Sequence, residues 1–133
     1  RKVIEPLVHG FDIGTLITNI TLIEEKNINI TKAKIKWTYN NTICETNDFY
    51  KISKDSIENI FHHVGIYSFT YDSLKKFVNL EPSKNEIYHK LEQLRALDAN
   101  MRIGASFVEN VPISVDTKDD LIKVEKIIKD KNE

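Results

Sequence analysis

The chain has 133 residues, of which 41% are hydrophobic and 29% charged, a balance that fits one folded domain with a core. Its net charge of −1 gives no overall field that favours nucleic acid or an anionic membrane, and no apolar run approaches the ~20 residues of a membrane span. The single cysteine, Cys44, excludes an intramolecular disulfide and fits a reducing compartment.

The chain opens on Arg1 with no legible signal peptide, as expected of a start inside a longer protein or after a processing or cloning boundary. Asn19, Asn29 and Asn40 each begin an Asn-X-Thr triplet. In so Asn-, Ile- and Lys-rich a sequence these read as chance matches rather than glycosylation sites.

Val3 to Val8 is a short apolar run that Pro6 marks as the exit from a strand. Asp12 can cap a helix reaching about Glu25, with Ile13, Leu16, Ile17 and Ile20 inward, although Thr15, Thr18 and Thr21 lower its propensity. Asn29 to Tyr39 alternates apolar and polar residues, which predicts a half-buried strand ending in a turn at Asn40-Asn41. Thr42 to Glu58 has no clean period and reads as a strand fragment, a loop and a short helix from Ser56. Phe61 to Thr70 is a well-buried strand, and Asp72 caps a helix over Ser73 to Asn79.

The stretch from Ser83 to Asn100 predicts one continuous helix. Ser83 and Glu86 form a capping box, Ile87, Leu91, Leu94 and Leu97 make one apolar stripe, and Asn100 is a left-handed stop. Arg102 to Glu109 is a further strand. Thr117, with Asp120, caps a last helix whose buried face is Leu121, Val124, Ile127 and Ile128. Helices and strands alternate in this order, so the expected architecture is an α/β sheet with helices layered on it, over residues 1–133 as one domain.

No Gly-rich phosphate loop, zinc helix or Cys-X-X-Cys pair is present. Three polar clusters remain. His63 and Tyr67 share one strand face with Gly65 between them, which suits a hydroxylated or carboxylated ligand but equally a satisfied histidine beside a surface tyrosine. Glu92, Gln93 and Arg95 form the second. Gln93 can read a pair of sugar hydroxyls, and Arg95 can hold a carboxylate or pair within the helix, while a solvated face is the plain alternative. Asp116, directly before a helix, is a capping carboxylate or one ligand of a magnesium ion.

In order and spacing, the blocks His62-His63-Val64-Gly65-Ile66-Tyr67, Leu91-Glu92-Gln93-Leu94-Arg95-Ala96-Leu97 and Val115-Asp116-Thr117 resemble those of the 3-deoxy-manno-octulosonate cytidylyltransferases (CMP-Kdo synthetases), in their C-terminal half. Residues 61 to 128 follow the pattern, and Glu5-Pro6-Leu7-Val8 looks like the family's Gly-Asp-Glu-Pro turn. The resemblance implies an enzyme that joins CTP to the sugar acid Kdo with Mg2+, releasing pyrophosphate, for lipopolysaccharide synthesis in the cytoplasm. It implies a three-layer α/β nucleotidyltransferase fold and a homodimer. It also implies that His63, Tyr67, Glu92 and Gln93 contact the sugar acid and that Asp116 binds magnesium.

The sequence departs from the family in places. Ile4 stands where the family has an acid, so Asp116 lacks its usual partner. The N-terminal nucleotide-binding half is absent, the family's Tyr-Phe-Ser-Arg segment is not found near Cys44 to Lys51, and His89 replaces an acid. The chain alone is therefore expected not to turn over CTP. The alternatives are a non-catalytic sugar-acid-binding or dimerisation module, and a cytidylyltransferase for another sugar acid.

Overall fold

The alternation over residues 32–38 has the expected physical result: Ala33 and Ile35 are buried, while Lys34 and Lys36 are exposed. The computed structural model describes residues 1–39, 41–52, 58–111, 113–115 and 117–132. Its five strands are β1 (Ile13–Thr18), β2 (Lys32–Tyr39), β3 (Ile43–Tyr50), β4 (Ile60–Phe69) and β5 (Ile103–Phe107). They run in the order β1-β4-β2-β3-β5 and close into a small barrel. β1 and β5 pair in parallel and the other pairs are antiparallel, so the fold is mixed α/β, with a rolled rather than an open sheet. Ile13, Ile17, Phe49, Leu94, Met101 and Ile103 are among the residues that fill the core.

The helix expected from Asp12 is instead strand β1, and the short helix α2 (Leu22–Glu25) follows it. All six residues of β1 are buried, because β4 and β5 flank it. A strand buried on both faces carries no period of two, so its apolar run mimics a helix stripe. The threonines read as weak helix formers are at home here. Asp12 caps nothing; its carboxylate accepts the Arg102 backbone N–H at 2.7 Å. The Val3–Val8 run is a 3-10 turn (Lys2–Ile4) leading into α1 (Glu5–Val8), with Pro6 in the first turn, where a missing N–H costs little.

The stretch from Thr42 holds a full eight-residue strand, β3. Two register shifts against β2 scramble its period, although Cys44, Thr46 and Phe49 still point inward. The short helix expected from Ser56 lies outside the described residues, as does Asn40; Asn41 takes the left-handed turn conformation, with φ 54°. Lys32 is fully buried, and its ammonium donates to the carbonyls of Asn27 at 2.5 Å and Lys51 at 2.7 Å.

Helix α3 spans Tyr71–Val78. Thr70 rather than Asp72 caps it, accepting the Ser73 N–H at 3.1 Å. The expected long helix is two short ones, α4 (Lys84–His89) and α5 (Gln93–Asp98), divided at Lys90, which is left-handed at φ 54°. The Ser83–Glu86 capping box forms as expected, and Asn100 is left-handed. The break swings Ile87 out to 66% exposure while Leu91 and Leu94 stay buried, so one helical stripe becomes two unequal pieces.

The final helix, α6 (Lys118–Asn132), begins at the expected Thr117–Asp120 box, with reciprocal bonds of 3.2 and 3.1 Å. Its expected buried face is largely open. Leu121, Ile127 and Ile128 are exposed and Val124 is half-buried, since no layer among the described residues covers them. No helix among the described residues is long and apolar enough to cross a membrane.

Candidate active site beside the β4 bulge

The register of β1 on β4 slips between the pairs Gly14–Ser68 and Leu16–Val64, so that Gly65, Ile66 and Tyr67 stand opposite Thr15. The Thr15 hydroxyl bridges this bulge, lying 2.9 Å from the Ile66 carbonyl and 3.3 Å from that of Val64. Bulges re-aim side chains, and here the imidazole of His63 and the phenol of Tyr67 come together with ring centres 5.6 Å apart. Room for a side chain is not what places glycine at 65, since a methyl group there would touch nothing within 4 Å.

His63 lies in the interior, behind Tyr67. Its Nε2 is 2.9 Å from Thr15 Oγ1, and its ring meets Phe49 edge-on at 4.8 Å. Burial, and then the neighbouring His62, push its pKa down to about 3, so the ring is neutral at ordinary pH. Tyr67 is 37% exposed. Burial, and then the Glu92 carboxylate, raise its phenol above the usual range, which keeps it a proton donor.

Tyr67, Glu92 and Gln93 line one cleft of about 340 Å3, whose other walls include Phe69, Leu74 and Phe77. Glu92 and Gln93 reach it because the break at Lys90 starts α5 there, with Glu92 as its N-cap. The cleft thus sets a protonated phenol, an amide and a carboxylate against an apolar wall, a donor and acceptor set suited to a polyhydroxylated molecule.

Arg95 does not face a ligand. Its guanidinium grips Glu86 with two bonds, 2.7 and 2.6 Å, and lies 5.1 Å over the Phe77 ring; Glu92 is a weaker partner at 3.6 Å. Of the residues singled out by sequence, Tyr67, Glu92 and Gln93 share the cleft and His63 backs it, while Asp116 lies outside the described residues. Ile4, more than half exposed, offers only hydrocarbon to a cation. Among the described residues no group of three His, Cys, Asp or Glu could hold a metal ion. Sequence reasoning missed Thr15, and the only signal for it was a threonine inside an apolar run.

No family model matches the chain. Curated relatives do. A 3-deoxy-manno-octulosonate cytidylyltransferase of Paramagnetospirillum magneticum is 37% identical over 132 residues, covering 97% of this chain and 54% of the relative. That of Parvibaculum lavamentivorans is 40% identical over 126 residues, covering 92% and 48%. That of Bartonella tribocorum reaches 51% identity over 69 residues, covering 52% and 28%. A solved structure of CMP:2-keto-3-deoxy-manno-octonic acid synthetase complexed with CTP superposes with a TM-score of 0.82 at 23% identity, covering 97% of this chain and 54% of that one, a likeness of fold. The chain spans about half the length of the relatives that match nearly all of it, and over that span it is similar to the 3-deoxy-manno-octulosonate cytidylyltransferases.

Proposed function

We propose that this chain forms the sugar-acid side of a cytidylyltransferase that joins CTP to 3-deoxy-manno-octulosonate and releases pyrophosphate. The observation that carries the reading is the meeting of Tyr67, Glu92 and Gln93 on one cleft, with His63 against Tyr67. In the reaction a sugar hydroxyl attacks the α-phosphorus of CTP and gives up its proton to solvent, a new P–O bond forms, and the bond to pyrophosphate breaks. Orientation supplies most of the catalysis in such a transfer. Tyr67 would donate to an oxygen of the sugar acid. Gln93 would both donate and accept, and Glu92 would accept a hydrogen bond from a sugar hydroxyl rather than face the sugar's own carboxylate.

A magnesium ion would neutralise phosphate charge. The resemblance assigns Asp116 as one of its ligands, and Ile4 cannot bind a cation, so further ligands would come from elsewhere. The three-layer nucleotidyltransferase arrangement, a homodimer, the cytoplasmic setting and a place in lipopolysaccharide synthesis are part of the same reading and rest on the family resemblance.

Ile4 favours a second reading, a non-catalytic sugar-acid-binding or dimerisation module. Pyrophosphate release from CTP and Kdo by the product of the complete reading frame separates the two. Release that is lost in Gln93→Ala supports the enzyme. Kdo binding without release supports the sugar-acid-binding module, and neither binding nor release sinks the enzyme and leaves the dimerisation module. A substrate screen with other sugar acids tests whether the cleft prefers a different one.

A further inference from the structure

Thr15 is fully buried in the middle of β1. Its oxygen has three neighbours: the Ile66 carbonyl at 2.9 Å, the Val64 carbonyl at 3.3 Å and His63 Nε2 at 2.9 Å. A hydroxyl has one proton to give, and carbonyl oxygens can only accept. If Thr15 donated to the imidazole, its lone pairs would face the Ile66 oxygen with no proton between them. In the interior, such an unmet pair of acceptors is costly. The contacts are mutually consistent only if Thr15 donates to a β4 carbonyl and His63 donates from Nε2 to Thr15. Burial keeps the ring neutral, so this is its single proton, and Nδ1 is left as a bare acceptor.

We propose that Thr15 is a positioning residue that locks His63 in the Nε2–H tautomer, so that any ligand group reaching this ring must bring a proton: a sugar hydroxyl qualifies and a carboxylate oxygen does not. The tautomer half of this proposal stands on the hydrogen bonds alone, and the ligand half rests on the sugar-acid reading of the cleft. Where a sugar acid reaches past Tyr67 to this ring, a hydroxyl and not its carboxylate would meet His63.

The test is long-range proton–nitrogen correlation of the histidine rings in the nitrogen-15-labelled chain, with Thr15→Val and Thr15→Ser alongside. In the wild type, the His63 resonances should be those of a protonated Nε2 and an unprotonated Nδ1. Thr15→Val should mix the tautomers and Thr15→Ser should restore the single form, whereas a merely structural threonine would leave the populations unmoved. A protonated Nδ1 in the wild type overturns the proposal whether or not the valine variant folds. The same holds for an unchanged tautomer in a folded Thr15→Val chain. Titrating Kdo tests the ligand half. A shift of the Nδ1 resonance in the direction of an accepted hydrogen bond supports it, and binding with Nδ1 unmoved overturns it. Absence of Kdo binding sinks the sugar-acid reading and the ligand half with it, while the wild-type spectrum still decides the tautomer.

Discussion

Arg95 clamps Glu86 across the break between α4 and α5, with Nε and Nη2 donating to the two carboxylate oxygens at 2.7 and 2.6 Å. Both side chains are largely shielded, at 16% and 14% exposure. The Glu86 carboxylate also accepts the Ser83 N–H, so one group caps α4 and holds α5 beside it. Arg95→Met is expected to lower stability by roughly 1–2 kcal/mol, since the bonds are charge-assisted but water reaches part of the pair. The Arg95 hydrogen bond holds Glu86 below its ordinary pKa of 4.5. The stabilisation is therefore present above that value and is lost as pH falls through the lower, folded one. Urea unfolding should show the Arg95→Met penalty shrinking under acid, and a penalty that is constant down to low pH would contradict this role.

His63 titrates with the opposite chemistry but the same sign. Its pKa falls from 6.5 to about 3 on folding, so between those values the unfolded chain holds a proton that the folded chain does not. Stability then rises with pH across that window, by up to about 1.4 kcal/mol per unit for one proton, and levels off above 6.5. Comparing the pH dependence of wild type and His63→Gln isolates this group from the carboxylates. The wild-type curve should be the steeper one between pH 4 and 6 by about that slope. Parallel curves would mean that the imidazole is not buried in its neutral form.

Gly14 sits where the chain start crosses β1. A methyl group there would collide with the Val3 carbonyl and Ser68 Oγ, two atoms already bonded to each other at 2.5 Å. Gly14→Ala is predicted to cost on the order of 1–3 kcal/mol by forcing the 3-10 turn off the barrel. Thermal unfolding measures this. Gly65→Ala is the control and should be nearly silent, because that position is open.

Much of the site was legible because its residues sit in short ordered blocks. His63 and Tyr67 share a strand, and Glu92 and Gln93 are adjacent, so order along the chain already keeps each pair close. What the period could not show is that β4 bulges against Thr15, since a bulge depends on the register of two strands far apart in sequence. β1 was misread for a related reason: Ile13, Leu16 and Ile17 are buried by neighbours on both sides, which erases alternation. The break at Lys90 was hidden by a good helical stripe. The face of α6 expected to be buried is largely exposed, because an apolar period shows which residues could be covered and not whether anything covers them.

Tyr67 and Gln93 carry the central claim, that a sugar acid occupies this cleft. Tyr67→Phe and Gln93→Ala should each weaken Kdo binding up to about tenfold, the worth of one hydrogen bond, with little loss of stability. The most direct measurement is backbone amide shift mapping of the chain during a Kdo titration. Shifts centred on Tyr67, Glu92 and Gln93, and weakened in both variants, are the predicted result. Shifts that gather elsewhere, or none at concentrations that saturate a millimolar site, would contradict it.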